Sequence, residues 1–416
     1  MNEVVVIGCG GVGLPLGVAL ASRYVRVLGV EIDSERTRRL CLGDPGLEDS
    51  RLAGALRTAL DRGLIKFAET VEPADSERTW VIATPTPVGP DLRLDDRAIK
   101  AAFATVLAAA RDGDLVMIRS TVPVGTTRAI ANCAAGCGLR FAACPDRTVA
   151  GNGFAEQLST PHIVGGLDEA ASNAAATVLA ALGKVIRVSS PETAEALKLF
   201  TNVWRDGQFA LANQLALYCD AAGLDFGEIR TAGRMDFPRF DPPRAGPVGG
   251  PCLTKDVHLL SQSAEAVGVS VPLLADARLL NESLIDHVAN AVVAAARGWR
   301  TAPRVAVLGL AFKGVPPTLD RRGSVGLALL ERLRAALPRA ELRGWDPQAD
   351  EAADDGVGAT TDADLVILCN DHPALGDARR LGFCARGALV YDLCGVAPQA
   401  CRADLRVRRF GTGLPL

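Results

Sequence analysis

Histidine is scarce in this chain. Four occur, His162, His258, His287 and His372, so chemistry centred on an imidazole has few candidates. Paired CxxC spacing is also missing: the eleven cysteines are scattered and odd in number, which argues for reduced thiols and against a zinc site. Cys133 and Cys137 are spaced to lie one turn apart on a helix, but no second Cys or His pair follows them. No apolar run reaches the roughly 18 residues of a membrane span, and the N-terminus reads as a strand, not a signal peptide. Neither sign of charge dominates. With 45 Lys and Arg against 48 Asp and Glu, the net charge of −3 gives no basis for a nucleic-acid partner. These exclusions leave a cytoplasmic enzyme of two or three domains, because 416 residues exceed one typical core.

The first residues carry a pattern with a physical purpose. An apolar run at 4–7 leads into Gly8-Cys9-Gly10-Gly11-Val12-Gly13 and a helical pattern at 14–22. In such a strand, turn and helix Gly8 allows the tight turn, Gly10 lets a pyrophosphate approach the backbone, and Gly13 permits close helix packing. A second apolar run, 25–30, ends in Glu31, which lies 31 − 8 = 23 residues beyond the first glycine, where an acid binds ribose hydroxyls. An acid there repels a 2′-phosphate, so NAD is favoured over NADP, with Arg36 and Arg38 as the opposing signal. Asp33 reads as a helix N-cap.

Apolar runs at 80–83, 115–119 and 140–143 continue the alternation with alanine-rich helical segments, which predicts a doubly wound parallel sheet. Ligands in such sheets sit at the carboxyl ends of the strands. There the sequence places Thr84-Pro85-Thr86-Pro87, Ser120-Thr121-Val122-Pro123 and Cys144-Pro145-Asp146-Arg147; ordinary turn chemistry is the alternative at each. Residues 191–230 have helical period, with Ala194, Leu197, Phe200, Phe209, Ala212, Leu215 and Ala216 as an apolar face that offers a dimer contact. Lys198 and Asn202 are four apart and share a face, in a site or on a solvated surface. A third segment repeats the first: a strand at 304–308, GLAFKG, a helix at 325–336, and strands ending near 345, 369 and 392. It has no GxGxxG turn, so a nucleotide held through Lys313 and arginines is expected there in place of a second dinucleotide. The fold class is thus α/β, two Rossmann-like doubly wound domains, 1–190 and 298–416, joined by a helical central domain, 191–297.

The stretch GGPCLTKD, 249–256, presents Cys252 among small or rigid residues. Glycines let the backbone approach a ligand, Lys255 favours thiolate over thiol, and Asp256 is placed to activate a water. A buried structural cysteine beside a turn is the competing reading.

Taken in order, GCGGVGLPLG, TPTP, STVPVGT, a Pro-acid-Arg loop, AEALKLFTN, GGPCLTKD and GLAFKG, followed by Asp320, Arg322 and Ser324, resemble the UDP-glucose/GDP-mannose dehydrogenase family of nucleotide-sugar 6-dehydrogenases over nearly the whole chain. The resemblance implies a four-electron oxidation of a sugar C6 hydroxyl to a carboxylate with two NAD. It assigns Cys252 as acyl carrier, Asp256 to the hydrolytic water, and Lys198, Asn202 and a water on Thr121 to the alcohol proton and the oxyanion, with Asp146 a further catalytic candidate. Gly8, Gly10, Gly13, Glu31, Thr84, Thr121 and Lys255 fall to the cofactor. Lys198, Asn202, Arg239, Gly249, Lys313 and Arg322 fall to the UDP-sugar, and Arg239 implies a homodimer or higher homo-oligomer because its counterpart reaches a neighbouring subunit. The loop PPRAGPVGG departs from the family's pattern around that arginine, which makes Arg244 the runner-up. Asp146 stands where UDP-glucose dehydrogenases carry Glu, and Pro145-Asp146-Arg147 with Trp204-Arg205-Asp206 points to the UDP-N-acetylhexosamine branch. A two-electron alcohol dehydrogenase and a non-catalytic nucleotide-sugar sensor are the alternatives; neither accounts for Cys252 together with Lys198 and Asn202.

Overall fold

Short apolar runs separated by amphipathic helices assemble into two Rossmann-like sheets in this computed structural model, which describes residues 2–296, 302–348, 356–398 and 402–413. The chain divides into two compact units, Met1–Thr201 with His258–Ser270, and Asn202–Val257 with Val271–Leu416. The boundary expected at 297/298 lies outside the described residues, as do the last three of the C-terminal tail.

In the first unit the strands are β1 (Glu3–Ile7), β2 (Val27–Val30), β3 (Ile65–Ala68), β4 (Arg78–Ile82), β5 (Leu115–Ile118), β6 (Arg140–Ala143), β7 (His162–Gly166) and β8 (Val185–Arg187), ordered 3-2-1-4-5-6-7-8. The central strands read as continuous apolar runs because helices cover both faces, leaving Val4, Val5, Trp80, Val81 and Val116 fully buried. β1 to β6 pair in parallel, as the apolar runs predict, and β7 runs antiparallel to β6. Trp80 is held by its indole N–H donating to Asp114 Oδ2 at 2.7 Å. The same carboxylate accepts from the backbone N–H of Arg78 and Arg111, so a buried charge is fully hydrogen-bonded.

In the second unit β9 (Arg304–Leu308), β10 (Glu341–Trp345), β11 (Leu365–Leu368), β12 (Leu389–Asp392) and β13 (Arg406–Arg409) form a parallel sheet ordered 10-9-11-12-13. Ala306, Val307 and Leu308 line its centre, fully buried.

Between the two sheets in sequence lie the helices Pro191–Ala222, Phe226–Arg234, Leu253–Ala266 and Pro272–Ala296. The single helix expected over 191–230 breaks at Gly223, whose φ of 70° ends the first helix, and Asp225 caps the next by accepting from Gly227 and Glu228 N–H. Its apolar residues also divide between two sides: Ala194, Ala212 and Ala216 are buried, whereas Phe200 and Leu215 are exposed. Cys133 ends the helix Thr126–Cys133 and Cys137 lies in the turn beyond it, so the two do not share a helix. Asp33 does cap its helix, accepting from Arg36 N–H at 3.0 Å.

Candidate active site

The glycine turn of the first unit is shaped by backbone crowding on one side and open space on the other. Gly8 has φ of 91°, and a β-carbon there would lie 2.9 Å from the Ala83 carbonyl oxygen; at Gly13 it would lie 1.9 Å from the Gly8 carbonyl oxygen. At Gly10 and Gly11 it would meet no atom within 4 Å, which leaves the backbone N–H groups at the helix start open to an anion. Glu31 follows β2 beside this turn, its carboxylate accepting from Cys9 N–H at 3.1 Å and Asp33 N–H at 3.3 Å. Arg36 gives its guanidinium to the Cys9 carbonyl at 2.7 and 3.0 Å, 3.8 Å from Glu31, and Arg38 pairs with Glu35. Neither arginine is thereby spent on a ligand phosphate. Thr84 Oγ1 is buried with no hydrogen-bond partner among the described residues, the state expected of a hydroxyl whose partner is a ligand. Open glycines, a paired acid and an orphaned hydroxyl fit NAD, which Gly8, Gly10, Gly13, Glu31 and Thr84 would hold. Replacing Glu31 by alanine is expected to weaken NAD binding about 10- to 100-fold, since a hydrogen bond to a charged group contributes about 1.5–3 kcal/mol, and to narrow the preference over NADP. Dissociation constants for both cofactors measure this; unchanged values would refute the ribose assignment.

The buried Cys9 thiol, inside this turn, is pushed up to about 12 by burial and then by Glu31, so it is a packing group. Thr121 follows β5, and its carbonyl accepts from the Thr86 hydroxyl at 2.7 Å. The loop that carries it is anchored by a residue that sequence reading passes over. Glu195, buried, accepts from Gly125 N–H at 2.6 Å, Thr127 N–H at 2.8 Å and the Thr127 hydroxyl at 2.6 Å. It thus ties STVPVGT to the helix that carries Lys198 one turn later.

Asp146 is buried and saturated. Oδ1 accepts from Arg119 at 2.7 Å and Gln157 at 2.9 Å, and Oδ2 from the Thr148 N–H at 3.1 Å and hydroxyl at 2.8 Å. Burial works upward on this carboxyl, but Arg119, then Lys198 and the hydrogen bonds, hold it below the ordinary range. Four hydrogen bonds thus anchor this acid in its loop. His162, beside this cluster, donates from Nε2 to the Gln157 carbonyl at 2.9 Å, and burial followed by the Arg119 charge pushes it down to about 4. Its folded value lies below its unfolded one, so the unfolded chain binds the extra proton. Stability from this residue is therefore present above about 6.5 and lost as pH falls from there to about 4. Urea midpoints measured across that window should fall with acid in the native protein and fall less in His162→Gln; equal slopes would contradict it.

In the second unit Cys252 sits at the start of a helix and is exposed. Its carbonyl accepts from Lys255 and Asp256 N–H at 3.2 and 3.0 Å, so the thiol stands at the helix N-terminus. Asp256 is buried between two donors: Asn202 Nδ2 at 2.5 Å from Oδ2 and Lys255 Nζ at 2.6 Å from Oδ1. Lys255 thus directs one of its donors to Asp256. Two more segments, 312–313 and 320–323, converge on the thiol loop. Gly250, at φ of 94°, donates to the Gly323 carbonyl at 3.0 Å, and a β-carbon on it would lie 2.6 Å from the Phe312 ring. Gly249 is equally confined, since a β-carbon on it would lie 2.3 Å from the same carbonyl oxygen, so its glycine is required by backbone approach. Lys313 lies over the Phe312 ring at 5.5 Å. Arg322 grips Asp320 through two nitrogens at 2.6–3.1 Å. That hydrogen bonding, with a smaller contribution from Cys252, raises the Arg322 value above its ordinary one. Cys252, Lys313 and Arg322 thus belong to one cluster. Arg239 does not: it is exposed and stacks on Phe237, with 5.9 Å to the ring centre. The runner-up, Arg244, donates to the Cys394 and Gly395 carbonyls.

Residues 2–182 match the UDP-glucose/GDP-mannose dehydrogenase family, NAD binding domain, and residues 192–283 match that family's central domain. A UDP-N-acetyl-D-mannosamine dehydrogenase of Pyrococcus horikoshii is 32% identical over 386 residues, covering 89% of this chain and 90% of the relative. An NDP-N-acetyl-D-galactosaminuronic acid dehydrogenase of Ralstonia nicotianae is 29% identical over 399 residues, covering 89% and 91%. The solved structure of a UDP-D-ManNAc dehydrogenase from Pyrococcus horikoshii superposes with a TM-score of 0.88 at 26% identity, covering 99% of both chains.

Proposed function

This chain belongs to the UDP-glucose/GDP-mannose dehydrogenase family, and on that premise we propose that it oxidises the C6 hydroxyl of a UDP-N-acetylhexosamine to the carboxylate, consuming two NAD. The observation that carries the four-electron reading is the exposed Cys252 at a helix start, one turn from a buried carboxylate held by Asn202 and Lys255. NAD supplies a hydride acceptor at each of two stages. Lys198 and Asn202, with a water on Thr121, take up the alcohol proton and stabilise the oxygen as it becomes an aldehyde. Cys252 Sγ then adds to the aldehyde carbon, forming a thiohemiacetal; loss of hydride from that carbon leaves a thioester. Water attacks the thioester carbonyl with Asp256 accepting its proton, the C–S bond breaks, and the thiol returns with release of the acid. Lys313 and Arg322 bind the nucleotide-sugar phosphates, in keeping with their place beside the thiol loop.

The division of labour follows the chain: residues 1–190 bind NAD, 191–297 carry the thiol loop and the oligomer contact, and 298–416 bind the nucleotide sugar. Trp204, Leu211, Leu215 and Tyr218 repeat at helical spacing and are all exposed, which supports a homodimer through the helix Pro191–Ala222. Among the described residues no helix is long and apolar enough to cross a membrane. The free thiols suit a reducing cytoplasm.

Assay of UDP-N-acetylglucosamine, UDP-N-acetylmannosamine, UDP-glucose and UDP-galactose, with products identified by mass, tests the substrate. Acid from an N-acetylated sugar is expected, and a preference for UDP-glucose would overturn the branch.

A further inference from the structure

Four polar side chains with no part in the reaction above are buried together in the second unit. Asp206 and Asn213 come from the helix Pro191–Ala222, and Arg278 and Asn281 from the helix Pro272–Ala296; their exposures are 2%, 0%, 2% and 0%. Arg278 donates to Asp206 Oδ1 at 2.7 Å, and Asn281 Nδ2 donates to the Asp206 carbonyl and Oδ1 at 2.9 and 2.8 Å. Asn213 Nδ2 donates to Asn281 Oδ1 at 2.8 Å. A buried charge pair of this kind adds little stability over well-packed apolar side chains, because both charges must leave water. Apolar residues would join the two helices as well.

What an apolar contact lacks is a directed link to a third segment, and this network has two. Asn213 Oδ1 accepts from Gly246 N–H at 2.7 Å, and Arg278 donates to the Val248 carbonyl at 3.5 Å. Both groups belong to the loop that delivers Gly249, Gly250 and Cys252. That loop is confined on its other side as well: a β-carbon on Gly246 would lie 2.6 Å from the Leu393 carbonyl oxygen, and Gly250 is bound to Gly323. Arg278 Nε makes no hydrogen bond among the described residues and lies 3.3 Å from Glu282 Oε1 as an ion pair, while the other links are directed bonds that fix one geometry where a packed apolar surface allows several.

We propose that Asn213, Asn281, Arg278 and Asp206 are positioning residues for the thiol, with Asn213 the direct link. They act through the backbone at Gly246 and Val248, so that Cys252 Sγ is held where a sugar carbon must meet it. This rests on the thiol reading given above.

The test compares Asn213→Ala with Val288→Ala, a fully apolar truncation on the facing helix, in the full chain. Val288 is buried at 1% exposure and holds no loop group. Asn213→Ala should lower kcat about 10- to 100-fold, the cost of a misplacement of order 1 Å, with KM for NAD unchanged. It should also change the alkylation rate of Cys252 by iodoacetamide, followed peptide by peptide, while that of the exposed Cys41 stays the same. Val288→Ala should lose stability and keep both kcat and the Cys252 rate. Equal losses in the two variants, or an Asn213→Ala enzyme with native kcat and native Cys252 alkylation, would overturn the proposal. If Asn213→Ala does not fold, Arg278→Lys is measured instead, since it keeps a charge beside Asp206 and withdraws the donor to Val248; native kcat and native alkylation in that variant overturn the proposal too. The alkylation rate reads the loop whether or not the thiol forms a thioester, so failure of the positioning role is distinct from failure of the thiol chemistry.

Discussion

Cys252→Ser should form no acid while binding NAD as the parent enzyme does. Removing an enzyme nucleophile costs up to about 10⁶-fold in turnover, and a serine hydroxyl is a poor substitute unless a base is bonded to it. The described contacts give residue 252 no such base. Among the described residues the Asp256 carboxylate is bonded to Asn202 and Lys255 and not to residue 252. The substitution alters no residue of the glycine turn, nor Glu31 or Thr84. Mass detection of product and a direct NAD titration are the measurements. Undiminished acid in the variant would end the thioester account; loss of NAD affinity would mean that the substitution disturbs more than the nucleophile.

Asp256→Asn is expected to slow turnover about 10²- to 10⁴-fold, the range for a removed general base, and to change what accumulates. Oxidation to the thioester does not require Asp256, whereas its hydrolysis does. The variant should therefore collect an adduct on Cys252 with the mass of the acyl sugar nucleotide, and release a burst of two NADH per site, since both hydrides leave before hydrolysis. The substitution also leaves the Lys255 ammonium, only 20% exposed, facing a neutral amide, so some loss of thermal stability accompanies it. A slow variant with no adduct would place Asp256 before the thioester, in one of the oxidation stages.

Much of this was legible in the residues. The central strands declare themselves because burial on both faces demands unbroken apolar runs, and the glycine turn because Gly8 and Gly13 sit where a β-carbon would strike backbone. The strands overlooked are short or weakly patterned. β3 is IKFA with an exposed lysine, β7 ends in two glycines, and β8 is three residues, two of them exposed. The break in the long helix had a signal, Gly223 followed by Asp225, which the continuing apolar period masked. The helix after Cys252 was hidden because Gly-Gly-Pro reads as loop. Asp146 was the reverse case, a carboxylate in a promising place whose saturation depends on Gln157 and Arg119, 11 and 27 residues away. The network behind the thiol was beyond reach for the same reason. Asn213 and Asp206 look like the polar side of an amphipathic helix until Asn281, 68 and 75 residues on, is brought against them.

The central claim is that one thiol carries the sugar from aldehyde to acid within a four-electron oxidation. The most direct test is the NADH formed per nucleotide sugar consumed, with the product weighed. The account predicts two NADH and a carboxylate with no free aldehyde. One NADH and an aldehyde or ketone would contradict it.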